Sequence, residues 1–339
     1  MEHILAVLDP DKKYVRKLTS YMEKKGGLPF EILGFDSRVR LHTYLQTHKI
    51  SILLLSEEWE KEDFSGMTDL MILLVDKKTD ERVEPDACGM VSLCKYQSGE
   101  MICKKLLNIC ALAGGEEILS SVCPAAQKNC EIIGVYSPVK RSLQTSFAFI
   151  YSRLISTHKK TLYLNFEVFS GFHMWFQKEY QSDLMDLMYF LKDDTERFLL
   201  KLTAMTEEFG NVRYIPPAVS YEDFMQVTAQ EWLKLITTIA SYSDYEVLVL
   251  DLDDRMQGLF PILELCNRVY TMTRPDGLSM AKITDYEAAL KQSHRETVLQ
   301  KTVKCRFPVF KEIPQRVSEL PYSQLADYIK NKLGEDLGL

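Results

Sequence analysis

The sequence predicts an α/β protein built from two doubly wound domains, and three observations predict it. The chain has 339 residues, 46% of them apolar, and at ~150 residues per domain this length suits two domains that each bury a core. Short apolar runs alternate with amphipathic stretches from end to end, the pattern of parallel strands covered by crossover helices. The alternation lapses over 113–129, where Gly-Gly, Ser-Ser and Cys-Pro-Ala-Ala stand without a period, and then begins afresh. The predicted division is a first domain at 1–112, a linker at 113–129 and a second domain at 130–339.

In the first domain, strands are predicted at 3–8, 30–35, 50–55, 70–75 and 90–94, with helices at 14–24 and 38–47 between them. Five βα units in so short a stretch make one small doubly wound domain. The second series opens with a strand at 132–135, a helix at 143–155 and a strand at 161–166. Further strands are predicted at 212–215, 247–251, 269–273 and 302–307, and long helices at 182–209, 221–242 and 276–291. No tandem repeat of fixed period is visible.

Composition narrows the function classes. A formal net charge of −7 and a pI near 5.5 argue against nucleic acid as a partner, because a phosphate-backbone contact needs a basic surface. No apolar run approaches the ~20 residues of a spanning helix, and the opening MEHILAVLDPDKK reads as strand then turn, so a cytoplasmic protein is expected. Six of the eight cysteines fall between Cys88 and Cys130, but their spacings match no zinc pattern and are read as reduced thiols. The six histidines form no metal motif, and neither GxSxG nor a strand-following GxGxxG occurs. Phe166, Phe169, Phe172, Trp175 and Phe176 cluster after a strand and suit a core or a dimer face. Over 322–339, Leu325, Ile329 and Leu333 recur at four-residue intervals, while Lys330 and Lys332 are offset by Glu335 and Asp336. A helix closing the sheet is expected there, rather than one lying in a membrane surface.

The run ILAVLDPDKKYVRKL ends its strand in Asp9 and Asp11. It resembles the opening of bacterial receiver domains, which are flavodoxin-like, and there such residues hold a divalent metal. In SLCKYQSGEMICKKLL, Lys95 stands where a receiver has its lysine, with Tyr96 in place of the following proline. A receiver also needs a carboxylate nucleophile at the end of its third strand. In ISILLLSEEW that place falls to Ser56 or Glu57, and the fourth strand ends in Val75 and Asp76 instead of Thr or Ser. The domain is therefore read as a pseudo-receiver kept for its binding surfaces, with Asp9, Asp11, Ser56 and Lys95 in its pocket and at most a weak Mg²⁺ site.

The stretch EIIGVYSPVKRSLQTSFAFIYSRLI has the strand, loop and helix order of a phosphate-binding loop. It resembles the deviant Walker A region of the MinD/ParA group of P-loop NTPases. Alignment puts the group's glycines on Lys140, Arg141 and Leu143 and its P-loop lysine on Gln144, while Thr145 keeps its type and Ser146 lies beside it. Bulky residues in such a loop are penalised where φ is positive, and an amide at 144 brings no cation to a triphosphate. In TLYLNFEVFSGF, Asn165 stands where the group has its water-positioning Asp, with Glu167 nearby. An amide cannot accept a proton as a carboxylate does. YEVLVLDLDDRM resembles a Walker B strand, its Asp251 suited to hold Mg²⁺ through water.

A receiver-like domain joined to a MinD/ParA-like one resembles the TadZ/CpaE proteins of Tad-type pilus assembly. That resemblance implies a homodimer recruited to the cell pole or the inner face of the membrane, protein partners in a pilus or secretion apparatus, and only indirect or weak membrane association. Together with the degraded loop it leads to the expectation of a noncatalytic, or weakly nucleotide-binding, localisation scaffold. The alternative is an ATP-dependent switch, with ATP and Mg²⁺ held by Ser137, Lys140, Arg141, Gln144, Thr145, Ser146 and Asp251 beside a switch region at Asn165 and Glu167.

Overall fold

A computed structural model describes the chain apart from residues 1–2, 26–27, 29, 60–63, 65, 83–90, 115–129, 193, 311, 313 and 338–339. The chain forms two compact units, one of Met1–Cys123 with Asp193–Ala204, the other of Pro124–Lys192 with Met205–Leu339. Nearly all of the expected linker, and the first residue of the expected strand at 90–94, lie outside the described residues.

The first unit runs β1 (Ile4–Leu8), α1 (Lys12–Lys25), β2 (Glu31–Phe35), α2 (Arg38–Leu45), β3 (Ile50–Ser56), β4 (Thr68–Val75), β5 (Val91–Cys94) and α3 (Gly99–Ala113). Its strands pair in parallel in the order β2-β1-β3-β4-β5. Every residue of β1 and β3 is buried, so these strands read as unbroken apolar runs rather than alternations. The period of two still sorts their side chains. Leu5, Val7, Ile52 and Leu54 pack with Val15, Leu18, Ile102 and Leu106, whereas Ala6, Leu8, Leu53 and Leu55 pack with Leu41 and Phe64. Each such leucine contributes about 1.5–3 kcal/mol by leaving water.

The second unit continues with β6 (Glu131–Val135), α4 (Gln144–Ile155), β7 (Thr161–Asn165), α5 (Phe172–Phe176) and α6 (Leu184–Phe190). After α7 (Thr195–Met205) come β8 (Glu207–Phe209), β9 (Val212–Ile215), α8 (Tyr221–Gln226), α9 (Ala229–Tyr242), β10 (Val247–Asp251), α10 (Leu259–Leu265) and β11 (Arg268–Thr273). The chain closes with α11 (Gly277–Gln292), α12 (Glu296–Gln300), β12 (Thr302–Arg306) and α13 (Gln324–Leu337). The sheet order is β12-β11-β6-β10-β7-β9-β8, parallel except where β8 pairs antiparallel with β9. Because β10 lies between β6 and β7, Asp251 is in register with Val135 on one side and Asn165 on the other. That topology positions the candidate site, since loops at the carboxyl ends of such strands converge there.

Two expected long helices are broken. The stretch 182–209 divides into α6, α7 and β8 because acidic caps interrupt it. Asp183 caps α6 by accepting from the N–H groups of Met185 and Asp186, and Asp194 accepts from the N–H of Arg197 at the start of α7. The stretch 221–242 divides where Thr228 and Glu231 form a capping box that starts α9. Moreover, α7 as far as Ala204 belongs to the first unit, whereas the sequence reading assigned 130–339 whole to the second. Leu200 and Ala204 join the core beneath α1 and α3, Arg197 donates to the carbonyl of Ala111 at the end of α3 (2.9 Å), and Lys201 meets the side chain of Asn108 (2.6 Å).

In the second unit, Leu325, Ala326 and Ile329 of α13 are buried in the sheet's core with Phe147 and Tyr151 of α4; the side chains from Leu333 onward lie outside the described ones. Among the described residues no helix is long and apolar enough to cross a membrane. Of the aromatic cluster, Phe166 and Phe172 are core residues, while Phe169 is 69% exposed. Among the described residues Cys94, Cys103, Cys110, Cys130, Cys266 and Cys305 form no disulfide, and Cys88 and Cys123 lie outside the described residues.

Candidate functional site

The loop after β6 is fastened at its start by its own serine. Ser137 donates its hydroxyl to the Met272 carbonyl of β11 (2.6 Å) and accepts from the Val139 N–H (3.0 Å). It is 1% exposed and its hydroxyl is committed to the protein rather than turned toward a ligand. Of the three residues aligned with glycines, Arg141 and Leu143 have positive φ, 57° and 63°, and Lys140 does not. The steric penalty expected at Lys140 is therefore absent. At the other two positions the backbone keeps a left-handed shape despite the side chains it carries.

Gln144, the first residue of α4, uses its whole amide inside the loop. Its Oε1 accepts from the Ser137 N–H (2.8 Å), and its Nε2 donates to Asp251 Oδ1 (2.6 Å) and to the Leu252 carbonyl (2.9 Å). The other oxygen of Asp251 accepts from the Tyr163 hydroxyl and from Asn165 Nδ2, each at 2.9 Å. Asn165 is 1% exposed, and its carbonyl accepts from the N–H of Glu167 (2.9 Å). Asn165, the residue the sequence aligns with a water-positioning Asp, thus faces a buried carboxylate. Burial pushes the Asp251 carboxyl up to about 6, against the pull of the donors that surround it.

The outer part of the site is a chain of charge pairs. Lys140 meets Asp254 at 3.0 Å and Asp253 at 3.9 Å, and Arg255 grips Asp253 with Nε and an Nη at 3.0 and 3.1 Å. Burial alone would raise Asp253, but the hydrogen bonds from Arg255 outweigh it and hold the carboxyl below the ordinary range. Glu167 goes the other way, raised by burial and then by the charge of Asp253; Thr145 donates to it at 3.4 Å. Arg255 also covers the ring of exposed Phe169, 5.2 Å from its centroid. Arg141 is exposed and Ser146 half-buried.

These residues do not fit magnesium triphosphate. Both oxygens of Asp251 are occupied by protein donors and the residue is 1% exposed, so the expected role of holding Mg²⁺ through water finds no accessible oxygen. The place of the lysine holds an amide that is fully used within the loop, and Lys140 is drawn to carboxylates. Sequence reasoning missed Tyr163, Asp253, Asp254 and Arg255. The DLDDR run was a visible signal for three of them, whereas nothing in the strand pattern distinguishes the tyrosine.

In the first unit, Asp9 follows β1, Ser56 ends β3 and Lys95 follows β5. The pairing of Leu8 with Leu55 sets Asp9 beside Ser56 at the carboxyl edge of the sheet. Lys95 lies 2.8 Å from Asp76 and 3.6 Å from Asp9. Burial would lower its ammonium, but the hydrogen bond to Asp76 and the charge of Asp9 raise it above the ordinary lysine range. Asp11 is exposed; its N–H donates to Asp9 Oδ1 (2.8 Å), and its carboxyl accepts from the N–H groups of Tyr14 and Lys13, which hold it low. Asp9 Oδ2, Ser56 Oγ and the Tyr14 hydroxyl are buried with no hydrogen-bond partner among the described residues. Glu57 opens a short 3₁₀ turn and is only half-buried.

No protein-family model and no curated protein matches the chain. Solved structures similar to it include a ParA family ATPase from Chlorobium tepidum, at 16% identity, over 60% of this chain and 93% of that one, with a TM-score of 0.45. A plasmid partition protein from Borrelia burgdorferi bound to AMPPNP is similar at 13% identity, over 61% and 96%, with a TM-score of 0.42. The MinC:MinD cell division complex of Aquifex aeolicus is similar at 10% identity, over 53% and 69%, with a TM-score of 0.38.

Proposed function

We propose that this chain is a noncatalytic, or at most weakly nucleotide-binding, localisation scaffold that acts through protein contacts and dimerisation. The observation that carries this reading is the Gln144 amide, which joins the Ser137 N–H to the buried carboxylate of Asp251. The loop puts an amide where a P-loop lysine would stabilise a transferring phosphoryl group, and Lys140 is paired with Asp253 and Asp254 instead. With Asn165 directed at Asp251, no carboxylate stands in the water-positioning place. The resemblance of both halves to TadZ/CpaE proteins supports a Tad-type pilus or related secretion assembly as the setting, with recruitment to the pole or inner membrane face from the cytoplasm. The pseudo-receiver pocket fits this reading, because Ser56 replaces the acceptor carboxylate and Lys95 is paired with Asp76.

A second reading, an ATP-dependent switch with an altered loop, is favoured by the left-handed backbone at Arg141 and Leu143 and by the absence of a side-chain cap on α4. Such a helix start attracts phosphate. Titration calorimetry with ATP and Mg²⁺, with phosphate release followed in parallel, separates the two. The scaffold reading expects no binding tighter than about 100 µM and no release above background. Micromolar binding lost on Thr145→Ala or Asp251→Asn, or turnover abolished by Gln144→Ala, would defeat it.

A further inference from the structure

The first unit carries a basic helix on an acidic chain. α1 buries Val15, Leu18 and Met22 in the core, and Lys12, Lys13, Arg16, Lys17 and Lys24 are exposed on its outer side. At about 100° per residue, Arg16, Lys13, Lys24 and Lys17 fall within an arc of about 100°, a stripe about 16 Å long from Lys13 to Lys24. Segment 11–24 sets these five bases against Asp11 and Glu23 in a chain of net charge −7. Lys12 is paired with Asp36, whereas Lys13, Arg16, Lys17 and Lys24 form no ion pair among the described residues.

Helix stability does not account for this arrangement. Lys13 has like charges three and four residues on, at Arg16 and Lys17, and such neighbours repel. The first turn, where the helix dipole favours acids, contains none, and only Asp11 just before it supplies a carboxylate. On α3, by contrast, Lys104 is matched by Glu100 four residues before it. An anionic partner relieves the repulsion on α1.

We propose that this face of α1 docks on an anionic lipid bilayer, held by charge alone. Protein interfaces rely on buried apolar or aromatic anchors, and among the described residues none of the large exposed apolar side chains lies on α1. A sheet of phosphate headgroups needs no anchor, only basic groups spread over one face. Each such residue contributes about a fivefold factor in binding, so four give a dissociation constant of about 1 mM in accessible lipid. Docking of this kind rests on the recruitment to a membrane face proposed above and names the surface that makes it.

Co-sedimentation of the full chain with lipid vesicles, in the absence of nucleotide, tests the surface. With about 30% phosphatidylglycerol in phosphatidylcholine, saturable binding is expected at about 1 mM lipid in about 50 mM salt, and none in about 500 mM salt, where screening confines the field to a few ångströms. Phosphatidylcholine alone should not bind. Arg16→Gln and Lys17→Gln should each weaken binding about fivefold, and the two combined with Lys24→Gln should abolish it. Lys282→Gln, at an exposed position of α11 in the second unit, should leave it unchanged. Circular dichroism should show the triple variant folded, with a thermal midpoint no lower than that of the wild type, because like-charge contacts are removed. No binding by about 10 mM lipid, equal binding to neutral vesicles, retention by the triple variant, or tighter binding to a DNA duplex or to polyglutamate than to anionic vesicles would each overturn the docking surface. Recruitment through protein contacts alone survives those outcomes, and the scaffold reading falls only on the nucleotide measurements above.

Discussion

The carboxyl edge of the first sheet gathers Asp9, Ser56 and Lys95, and that of the second gathers Gln144, Asn165 and Asp251. Both clusters sit where parallel strands deliver their side chains to a common rim. In the second, amides at 144 and 165 and the Tyr163 hydroxyl give one carboxylate donors for both oxygens. In the first, among the described residues, the hydroxyl at 56 makes no hydrogen bond and Asp9 Oδ2 meets a lysine at 3.6 Å. The difference teaches that polar clusters at the same kind of rim reach opposite states according to the donors they hold. Amides close a site into a rigid polar core, whereas a lone hydroxyl leaves it incomplete.

The sharpest way to break that comparison is Gln144→Ala. It strips a donor from a buried carboxylate and an acceptor from the Ser137 N–H, so urea unfolding should show a loss of about 3–5 kcal/mol. A loss under about 1 kcal/mol would mean that the network holds nothing together. The pH dependence comes next. With Asp251 near 6 in the folded chain against an ordinary 3.8, the native state binds more protons than the unfolded one between those values. Its contribution therefore favours folding at low pH and is lost as pH rises from about 4 to about 6, by at most roughly 3 kcal/mol. Subtracting the profile of Asp251→Asn isolates that slope from carboxyls held low elsewhere, such as Asp36 and Asp276. Equal slopes in the two proteins would refute the burial argument.

A smaller effect is expected at Arg141, whose φ of 57° is natural to glycine. Arg141→Gly should raise stability by about 0.5–1 kcal/mol, the relief of strain exceeding the entropy added to the unfolded chain. It should not confer ATP binding, because Gln144 still fills the loop; calorimetry of the variant checks both halves of the statement.

How far the sequence discloses this molecule follows from which interactions are local. Strands such as 4–8 and 247–251 are legible because a fully buried parallel strand must be apolar throughout. The breaks at Asp194 and Thr228 were missed because short polar caps inside a periodic stretch look like its solvent face. The amphipathic pattern of α7 shows that one face is apolar but not which core receives it, and the core is that of the first unit. At the site, the residue types at 144, 165 and 251 lead the sequence reading to expect a phosphate loop without its usual charges. Their mutual bonds do not appear in the sequence, since Gln144 and Asp251 are 107 positions apart and meet only because β10 inserts between β6 and β7.

Ser56→Ala gives the smallest effect and tests the other half of the comparison. The hydroxyl is buried at 0% exposure with no partner among the described residues, so deleting it removes an unsatisfied group and leaves a void no larger than one oxygen atom. Stability should rise by about 0.5–1 kcal/mol, in contrast to the loss at Gln144. Chemical denaturation of the full chain resolves such a change when the wild type is measured alongside. If Ser56→Ala instead costs about 2 kcal/mol or more, the hydroxyl is bonded, most simply to an ordered water shared with Asp9 Oδ2. The first cluster would then be as complete as the second, and the distinction between a closed site and an unfinished one would fall.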